Sequence, residues 1–262
     1  MTYIKLNNIN VYYNKEGIGI PLIFLYGLSD SSEFWIPMIK HFSDEYQILT
    51  PDLRGHGCSS KDVEINIKLL TQDLYEFVDA LGIQKFHLIG FSLGALIALN
   101  YSLKYPDKIK SITLCSGYCK ATTDIYANFK YIERLTESGG IGAFFDEMIK
   151  RIYTVEFLSK HAEYFNYRET AIEMNSKQAI IKSLKVCEKF DVKNRLAEIE
   201  VPSLILCGCD DYLIPSGNSV DLNEKIKDST LIQFNGVGHN IFIPEQLPKI
   251  ISKIKSFLPD LK

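Results

Sequence analysis

Apolar and polar residues follow two different periodicities along this chain. Near residues 3–6 and 10–14 they alternate one by one, as in the two strands of an antiparallel hairpin. Residues 21–26 form a continuous apolar run, which is typical of a strand buried on both faces. Residues 66–81 instead repeat apolar side chains at helical spacing, and Gly82 directly after them is suited to a C-terminal helix cap.

The same two patterns recur over most of the remaining sequence. Strands are predicted at residues 46–50, 86–89, 111–115, 201–207 and 231–234, and helices at 34–42, 95–101 and 246–257. Alternation of strand and helix predicts an α/β fold with a mostly parallel sheet covered by helices on both faces.

The alternation stops between Tyr118 and Arg195. This segment is helical in pattern throughout and is rich in aromatic residues. We therefore expect one core domain, built from residues 1–117 and 196–262, with a helical insertion at 118–195. Its aromatic side chains are expected mainly to pack with one another, and some to roof a pocket: Tyr126, Phe129, Tyr131, Phe144, Phe145, Tyr153, Phe157, Tyr164, Phe165 and Tyr167.

Residues 90–94 spell G-x-S-x-G between a predicted buried strand and a predicted buried helix. A serine on such a strand-to-helix turn is the nucleophile elbow, in which the serine backbone is strained. Side chains at Gly90 and Gly94 would collide with the neighbouring strand and helix. The pattern predicts Ser92 as a nucleophile, against the alternative of a tight structural turn.

A serine hydroxyl needs a base to accept its proton, and the base needs a group that orients it. At an elbow of this kind the chain order is Ser, then Asp or Glu, then His, each on a loop at the carboxyl end of a strand. His239 follows the last predicted strand and is the candidate base. Asp210 and Asp211 follow the strand before it, and either is a candidate acid. We prefer Asp211 and interpret Asp210 as a solvated turn residue.

Composition narrows the function classes. The chain has 262 residues, 46% of them hydrophobic, and a formal net charge of −3, so it lacks the basic character expected of nucleic-acid binding. No apolar run approaches the roughly 18 residues of a membrane span, and the N-terminus lacks a signal-peptide pattern. The six cysteines show neither zinc-ligand nor redox spacing, which predicts reduced thiols and a cytoplasmic location. No metal or organic cofactor is implied.

Three further patterns accompany the elbow. They are D-x-R-G-x-G-x-S at residues 52–59, G-x-x-D-x-x-x-P at 208–215 and G-x-G-H at 236–239. With these motifs in this order, the chain resembles α/β-hydrolase-fold enzymes that carry a helical cap. The resemblance implies a mostly parallel eight-stranded sheet flanked by helices, a cap inserted after strand six, and Asp211 as the acid.

In that fold two backbone N–H groups form the oxyanion hole, and their positions correspond here to Leu28 and Leu93. The family usually has His-Gly after the third strand, whereas this chain has Tyr26-Gly27. The tyrosine is expected either to pack its ring and donate its hydroxyl locally or to narrow the pocket, so the geometry of the oxyanion loop is left open.

Other residues near these motifs have less specific patterns. Asp52, Arg54 and His56 are expected to brace a loop near the site rather than to act in catalysis. The substrate pocket is assigned to Trp35, Phe91 and Leu213, with core packing as an equal alternative for Trp35.

Together, the motifs and the resemblance predict a serine hydrolase that cleaves a small or medium carboxylic ester through an acyl-enzyme. Its predicted triad is Ser92, His239 and Asp211. Lactonase, thioesterase, carbon–carbon bond hydrolase and perhydrolase activities share this triad and stay open. A different class, a ligand-binding receptor of the same fold with little turnover, is also compatible, and a degenerate structural member is disfavoured by the complete triad. The expected partner is a small acyl substrate, and formation of a homo-oligomer is left open.

Overall fold

The computed structural model describes residues 2–162, 172 and 174–258, and its centre is one eight-stranded sheet. The strand order is β1-β2-β4-β3-β5-β6-β7-β8. The pairs β1–β2 and β2–β4 are antiparallel and all others are parallel. The strands are β1 (Thr2–Lys5), β2 (Asn10–Glu16), β3 (Ile20–Leu25), β4 (Tyr46–Pro51), β5 (Phe86–Phe91), β6 (Ile109–Cys115), β7 (Ser203–Gly208) and β8 (Ser229–Phe234).

Helices flank the sheet and connect its parallel strands. Short 3₁₀ turns occur at Ser32–Trp35, Pro106–Lys108 and Lys193–Glu198. The α-helices of the described residues are α1 (Ile36–Ile39), α2 (Ile67–Ala80), α3 (Leu93–Lys104), α4 (Thr123–Ile152), α5 (Val155–Lys160), α6 (Lys177–Lys189), α7 (Gly217–Lys225) and α8 (Leu247–Phe257). None of them is both long enough and apolar enough to cross a bilayer.

Local sequence explains most of these elements. Every residue of β5 and β7 is buried, as their continuous apolar runs predict. Helix α2 buries the face that carries Leu70, Leu74 and Phe77, and the side chain of Asn66 caps its start by accepting a hydrogen bond from the Leu69 N–H (2.9 Å). Gly82 follows the helix with a φ of 69°, which glycine adopts without strain.

The helix predicted at residues 34–42 is shorter in the structure. The 3₁₀ turn at Ser32–Trp35 leads into a single α-turn, α1, that ends at Ile39. After it, the N–H groups of His41 and Phe42 donate to carbonyls only three residues back (both 3.0 Å), so the chain leaves the α-helix and turns toward β4.

Helices α4, α5 and α6 all lie between β6 and β7. The two ends of this segment meet in a short antiparallel bridge, where the Ala121 N–H donates to the Phe190 carbonyl and the Val192 N–H to the Cys119 carbonyl (2.9 and 2.7 Å). The insertion thus leaves and re-enters the α/β part at one place. Its delimitation as a separate domain at 118–195 stays a prediction, and three of its aromatic residues lie outside the described residues: Tyr164, Phe165 and Tyr167.

A buried pair of carboxyl groups lies where α4 packs on α6. Glu133 pairs with Lys130 and, at 3.3 Å, with Lys185, while Glu188 is buried beside it. Burial and the negative charge of Glu133 raise the pKa of Glu188 from 4.5 to about 6. Between these two pH values the folded chain binds more protons than the unfolded chain. The contribution of Glu188 to stability is therefore present at low pH and lost as the pH rises through about 6.

We expect Glu188→Gln to raise the midpoint of thermal unfolding at pH 7.5 by about 2–4 °C, the shift that ~1 kcal/mol gives in a domain of this size. At pH 4.5 the wild-type carboxyl is protonated in the folded chain, so the difference should be close to zero. Glu137→Gln is the control, because Glu137 is exposed and lies on α4 one turn after Glu133. Equal shifts at both pH values would show that the Glu133–Glu188 pair does not titrate as described.

Candidate active site

Ser92 lies on a sharp turn between β5 and α3. Its backbone has φ 51° and ψ −114°, a conformation that residues other than glycine rarely adopt. The flanking glycines make this turn sterically feasible. A Cβ at Gly90 would lie 2.3 Å from the Gly94 carbonyl oxygen, and a Cβ at Gly94 would lie 2.2 Å from the Leu25 carbonyl oxygen. The elbow geometry predicted for residues 90–94 is therefore present.

Three loops at the carboxyl edge of the parallel strands bring Ser92, His239 and Asp211 together. The Nε2 of His239 lies 2.9 Å from the Ser92 Oγ, and its Nδ1 lies 2.7 Å from the Asp211 Oδ2. His239 and Asp211 are buried, and Ser92 is partly exposed. In such a chain of hydrogen bonds the imidazole can accept the serine proton while the carboxylate holds the opposite ring N–H.

The two candidate acids have different surroundings. The second carboxylate oxygen of Asp211 accepts hydrogen bonds from the Leu213 and Ile214 N–H groups (2.9 and 2.7 Å), which hold the carboxylate toward His239. The Asp210 carboxylate instead accepts the Gly236 N–H (2.8 Å) and braces the turn after β8. The structure therefore brings Asp211 to the histidine and gives Asp210 a place in a neighbouring turn.

The two proposed oxyanion donors lie on either side of Ser92. Leu93 is the first residue of α3, where the helix dipole places partial positive charge, and Leu28 lines the cavity next to Ser92. Within the described residues, neither N–H donates to a protein acceptor. Gly27 packs closely on the elbow, since a Cβ there would lie 3.3 Å from the Ser92 Cβ. The role of these N–H groups stays a prediction.

Tyr26, which stands where the family usually has histidine, points away from the cavity. Its side chain is fully buried, and its hydroxyl accepts a hydrogen bond from the Leu53 N–H (2.6 Å). Burial, and after it the charge of Asp52, raise the pKa of this hydroxyl well above its usual value. Of the two alternatives, the packed ring is the one observed. The hydroxyl accepts a local hydrogen bond from the Leu53 backbone N–H and also makes a hydrogen bond with the Asp52 side chain.

Asp52, Arg54 and His56 have partners in loops and in α2. The Asp52 carboxylate accepts the Ser32 and Cys58 N–H groups (both 2.6 Å). Arg54 makes a two-point ion pair with Asp73 at 2.5 Å. His56 bonds to the Arg54 carbonyl, and burial lowers its pKa to about 4, so the ring is neutral at pH 7. These contacts brace the loops beneath the site.

A cavity of about 520 Å³ opens above Ser92. Phe91 and Leu213 line it as predicted, and the rings of Phe91 and Phe34 stack in parallel with centroids 5.2 Å apart. The insertion supplies one wall of the cavity: Phe129, Phe145, Met148, Ile149, Ile152, Tyr153 and Cys187.

The prediction that Trp35 lines the pocket is wrong. Its ring is fully buried and packs against Phe24, Phe34 and Phe242, with centroids 4.8–5.0 Å apart. Trp35 belongs to the 3₁₀ turn at Ser32–Trp35, and its ring packs on Phe24 of β3. Its neighbour Phe34 therefore faces the cavity and the indole fills the core behind it.

Two residues near His239 make contacts that no sequence motif predicts. Ser116 follows β6 with a φ of 51°, and its hydroxyl donates to the His239 carbonyl (2.7 Å). Asn240 lines the cavity, and its amide donates to the Tyr153 hydroxyl (2.9 Å). Neither belongs to a motif, because each acts on a residue far away in the sequence. Among the described residues, no group of three or more His, Cys, Asp or Glu side chains is placed to hold a metal ion.

Comparison with known proteins agrees with the fold. Residues 20–132 match the family model described as alpha/beta hydrolase fold. The protein named "Putative carbamate hydrolase RutD" from Agrobacterium fabrum is 31% identical over 223 residues, which are 84% of this chain and 85% of that protein. A protein of the same name from Escherichia coli is 24% identical over 86% of each chain.

Solved structures share the fold over nearly the full length. An alpha/beta hydrolase, MGS-M2, from a deep-sea metagenome library has a TM-score of 0.93 at 23% identity and covers 100% of this chain and 98% of its own. The enol-lactonase of Burkholderia xenovorans LB400 has a TM-score of 0.89 at 19% identity, with 98% and 99% covered. The esterase of Thermogutta terrifontis has a TM-score of 0.89 at 22% identity, with 100% and 99% covered.

We expect Gly94→Ala to lower the free energy of unfolding by more than about 2 kcal/mol, because its Cβ would press on a backbone carbonyl that cannot move away. Gly217→Ala is the matched control, since a Cβ there meets nothing within 4 Å. The control should be neutral or slightly stabilising. Urea unfolding of both variants measures the difference, and equal stabilities would show that the elbow tolerates a side chain.

Proposed function

The chain belongs to the α/β-hydrolase fold family, and from this premise we propose that it is a serine hydrolase acting on a small or medium carboxylic ester. The observation that carries the proposal is the unbroken series of hydrogen bonds from Ser92 through His239 to Asp211 at the floor of a cavity. All three residues also match the order and loop positions of the family's nucleophile, base and acid.

In the proposed mechanism Ser92 attacks the substrate carbonyl while His239 takes the serine proton. Asp211 holds the imidazole in the required tautomer and stabilises the cation that forms. The N–H groups of Leu28 and Leu93 stabilise the oxyanion, an interaction of this kind being worth about 3 kcal/mol per donor. His239 then returns the proton to the leaving group and activates the water that releases the acid.

The cavity indicates the kind of substrate. Its walls are mainly aromatic and aliphatic, and within the described residues no lysine or arginine lines it, whereas Asp30 and Glu33 do. This lining favours a neutral acyl group with apolar parts over an anionic substrate. A carbamate, as the names of the RutD relatives suggest, or a lactone presents the same kind of carbonyl to Ser92. Both are therefore alternatives within this proposal.

The six free thiols fit a reducing cytoplasm, which we take as the location of the protein.

A receptor of the same fold is the competing class, because it would keep the triad and bind a ligand in the cavity with little turnover. Turnover with small esters separates these two classes.

We expect p-nitrophenyl esters of increasing acyl length to be hydrolysed with one preferred length, set by the cavity. Ser92→Ala should lower kcat at least about 10⁴-fold while the thermal unfolding midpoint stays near that of the wild type. An aryl carbamate and a lactone assayed in parallel identify the preferred bond. Turnover by Ser92→Ala close to that of the wild type would exclude Ser92 as the nucleophile. A folded wild-type protein without turnover on any of these substrates would favour the receptor class.

We expect Asp211→Asn to lower kcat by on the order of 10⁴, because the amide favours the wrong histidine tautomer. Asp210→Asn should leave kcat nearly unchanged, since its carboxylate accepts the Gly236 N–H and braces that turn, while Asp211 is the residue bonded to His239. Steady-state rates of the two variants on the preferred ester measure the contrast. The reverse ranking would make Asp210 the acid.

A further inference from the structure

Asn128 of α4 makes two hydrogen bonds to the loop that carries Asp211. Its Nδ2 donates to the carbonyls of Tyr212 and Leu213, at 3.3 and 3.1 Å. These carbonyls belong to the same two peptide groups whose N–H ends, at Leu213 and Ile214, donate to the Asp211 carboxylate. Asn128 and Asp211 therefore bind opposite ends of the same two peptide groups.

The orientation of the Asn128 amide is itself determined by its neighbours. The guanidinium of Arg151 donates to the Asn128 Oδ1 (2.8 Å), so the amide oxygen faces Arg151 and the NH₂ faces the loop. Arg151 is held in turn by Glu147 at 2.6 Å and lies over the Tyr131 ring. All of these side chains belong to α4, so a helix of the insertion presents a fixed donor to the acid loop.

The insertion also bonds to the other two loops of the site. The Asn240 N–H, next to His239, donates to the Ile152 carbonyl at the end of α4 (2.9 Å). The Asn175 amide donates to the carbonyl of Ser29 in the oxyanion loop (2.9 Å). Of these three contacts, the one at Asn128 acts directly on the two peptide groups that donate to the Asp211 carboxylate.

We propose that Asn128 is a positioning residue for Asp211, through which the helical insertion sets the orientation of the acid carboxylate under His239. The inference rests on the proposed function. Hydrogen bonds in series strengthen one another, so donation by Asn128 to the carbonyl ends makes the N–H ends better donors to Asp211. Asn128 does not line the cavity in the described part of the chain, so its loss should weaken the chemical step and leave substrate binding intact.

The test compares Asn128→Leu with Asn218→Leu in the full chain. Leucine has a similar size, lacks the donor and is the better helix former, so α4 should be retained. We expect Asn128→Leu to lower kcat on the preferred p-nitrophenyl ester by about 10–100-fold, the range for a misplaced catalytic group, with KM unchanged. Asn128→Gln keeps an amide and should recover part of the rate.

Asn218 is the matched control, because it also donates to a carbonyl of the loop that carries Asp211, at Pro215 (2.8 Å), but lies on α7 of the core. Asn218→Leu should therefore keep the wild-type kcat.

A second readout does not depend on turnover. The proton of the His239 Nδ1–H···Asp211 hydrogen bond should give a low-field ¹H NMR resonance in the wild type and in Asn218→Leu, and should shift upfield or broaden in Asn128→Leu. Wild-type kcat with an unchanged resonance in Asn128→Leu would overturn the proposal, as would equal losses in the two leucine variants. If the wild type hydrolyses no ester, the proposed function fails, and the resonance still decides whether Asn128 positions Asp211.

Discussion

The strained backbone of Ser92 is the constraint on which the rest of the site depends. A residue with φ near +50° is held there only if the surrounding structure is tightly packed. Here β3, β5 and α3 approach so closely that glycine is required at positions 90 and 94. The close approach puts the start of α3 directly beneath the serine. Ser92 therefore lies at the cavity and at the N-terminal, positive end of the α3 dipole.

The parallel arrangement of the strands brings the other two members of the proposed triad to Ser92. Loops after β5, β7 and β8 end at one edge of the sheet, so residues that are up to 147 positions apart in the sequence meet within hydrogen-bond distance. Asp211 and His239 are then held by hydrogen bonds from their own loop or from a neighbouring one. The Asp211 carboxylate is held by two N–H groups, and the His239 carbonyl by the Ser116 hydroxyl.

The helical insertion contributes to the site in two ways. Its apolar side chains form one wall of the cavity, which makes the space above Ser92 suited to an apolar substrate. Its polar side chains at Asn128 and Asn175, together with the end of α4, bond to the acid, oxyanion and histidine loops. In the proposed hydrolase, the insertion therefore links the choice of substrate to the geometry of the reacting groups.

Local pattern determined the strands, the longer helices and the elbow, because each depends on residues close together in the chain. The order of nucleophile, acid and base was predicted from the loops that follow successive strands. Chain order could not separate Asp210 from Asp211, and the family motif supported the preference for the second. The tertiary structure alone decided that Trp35 lies behind the cavity wall, that the Tyr26 hydroxyl accepts from Leu53, and that Asn128 meets a loop 84 positions away. These facts depend on which side chains of distant segments fill the same space, and no local periodicity records that.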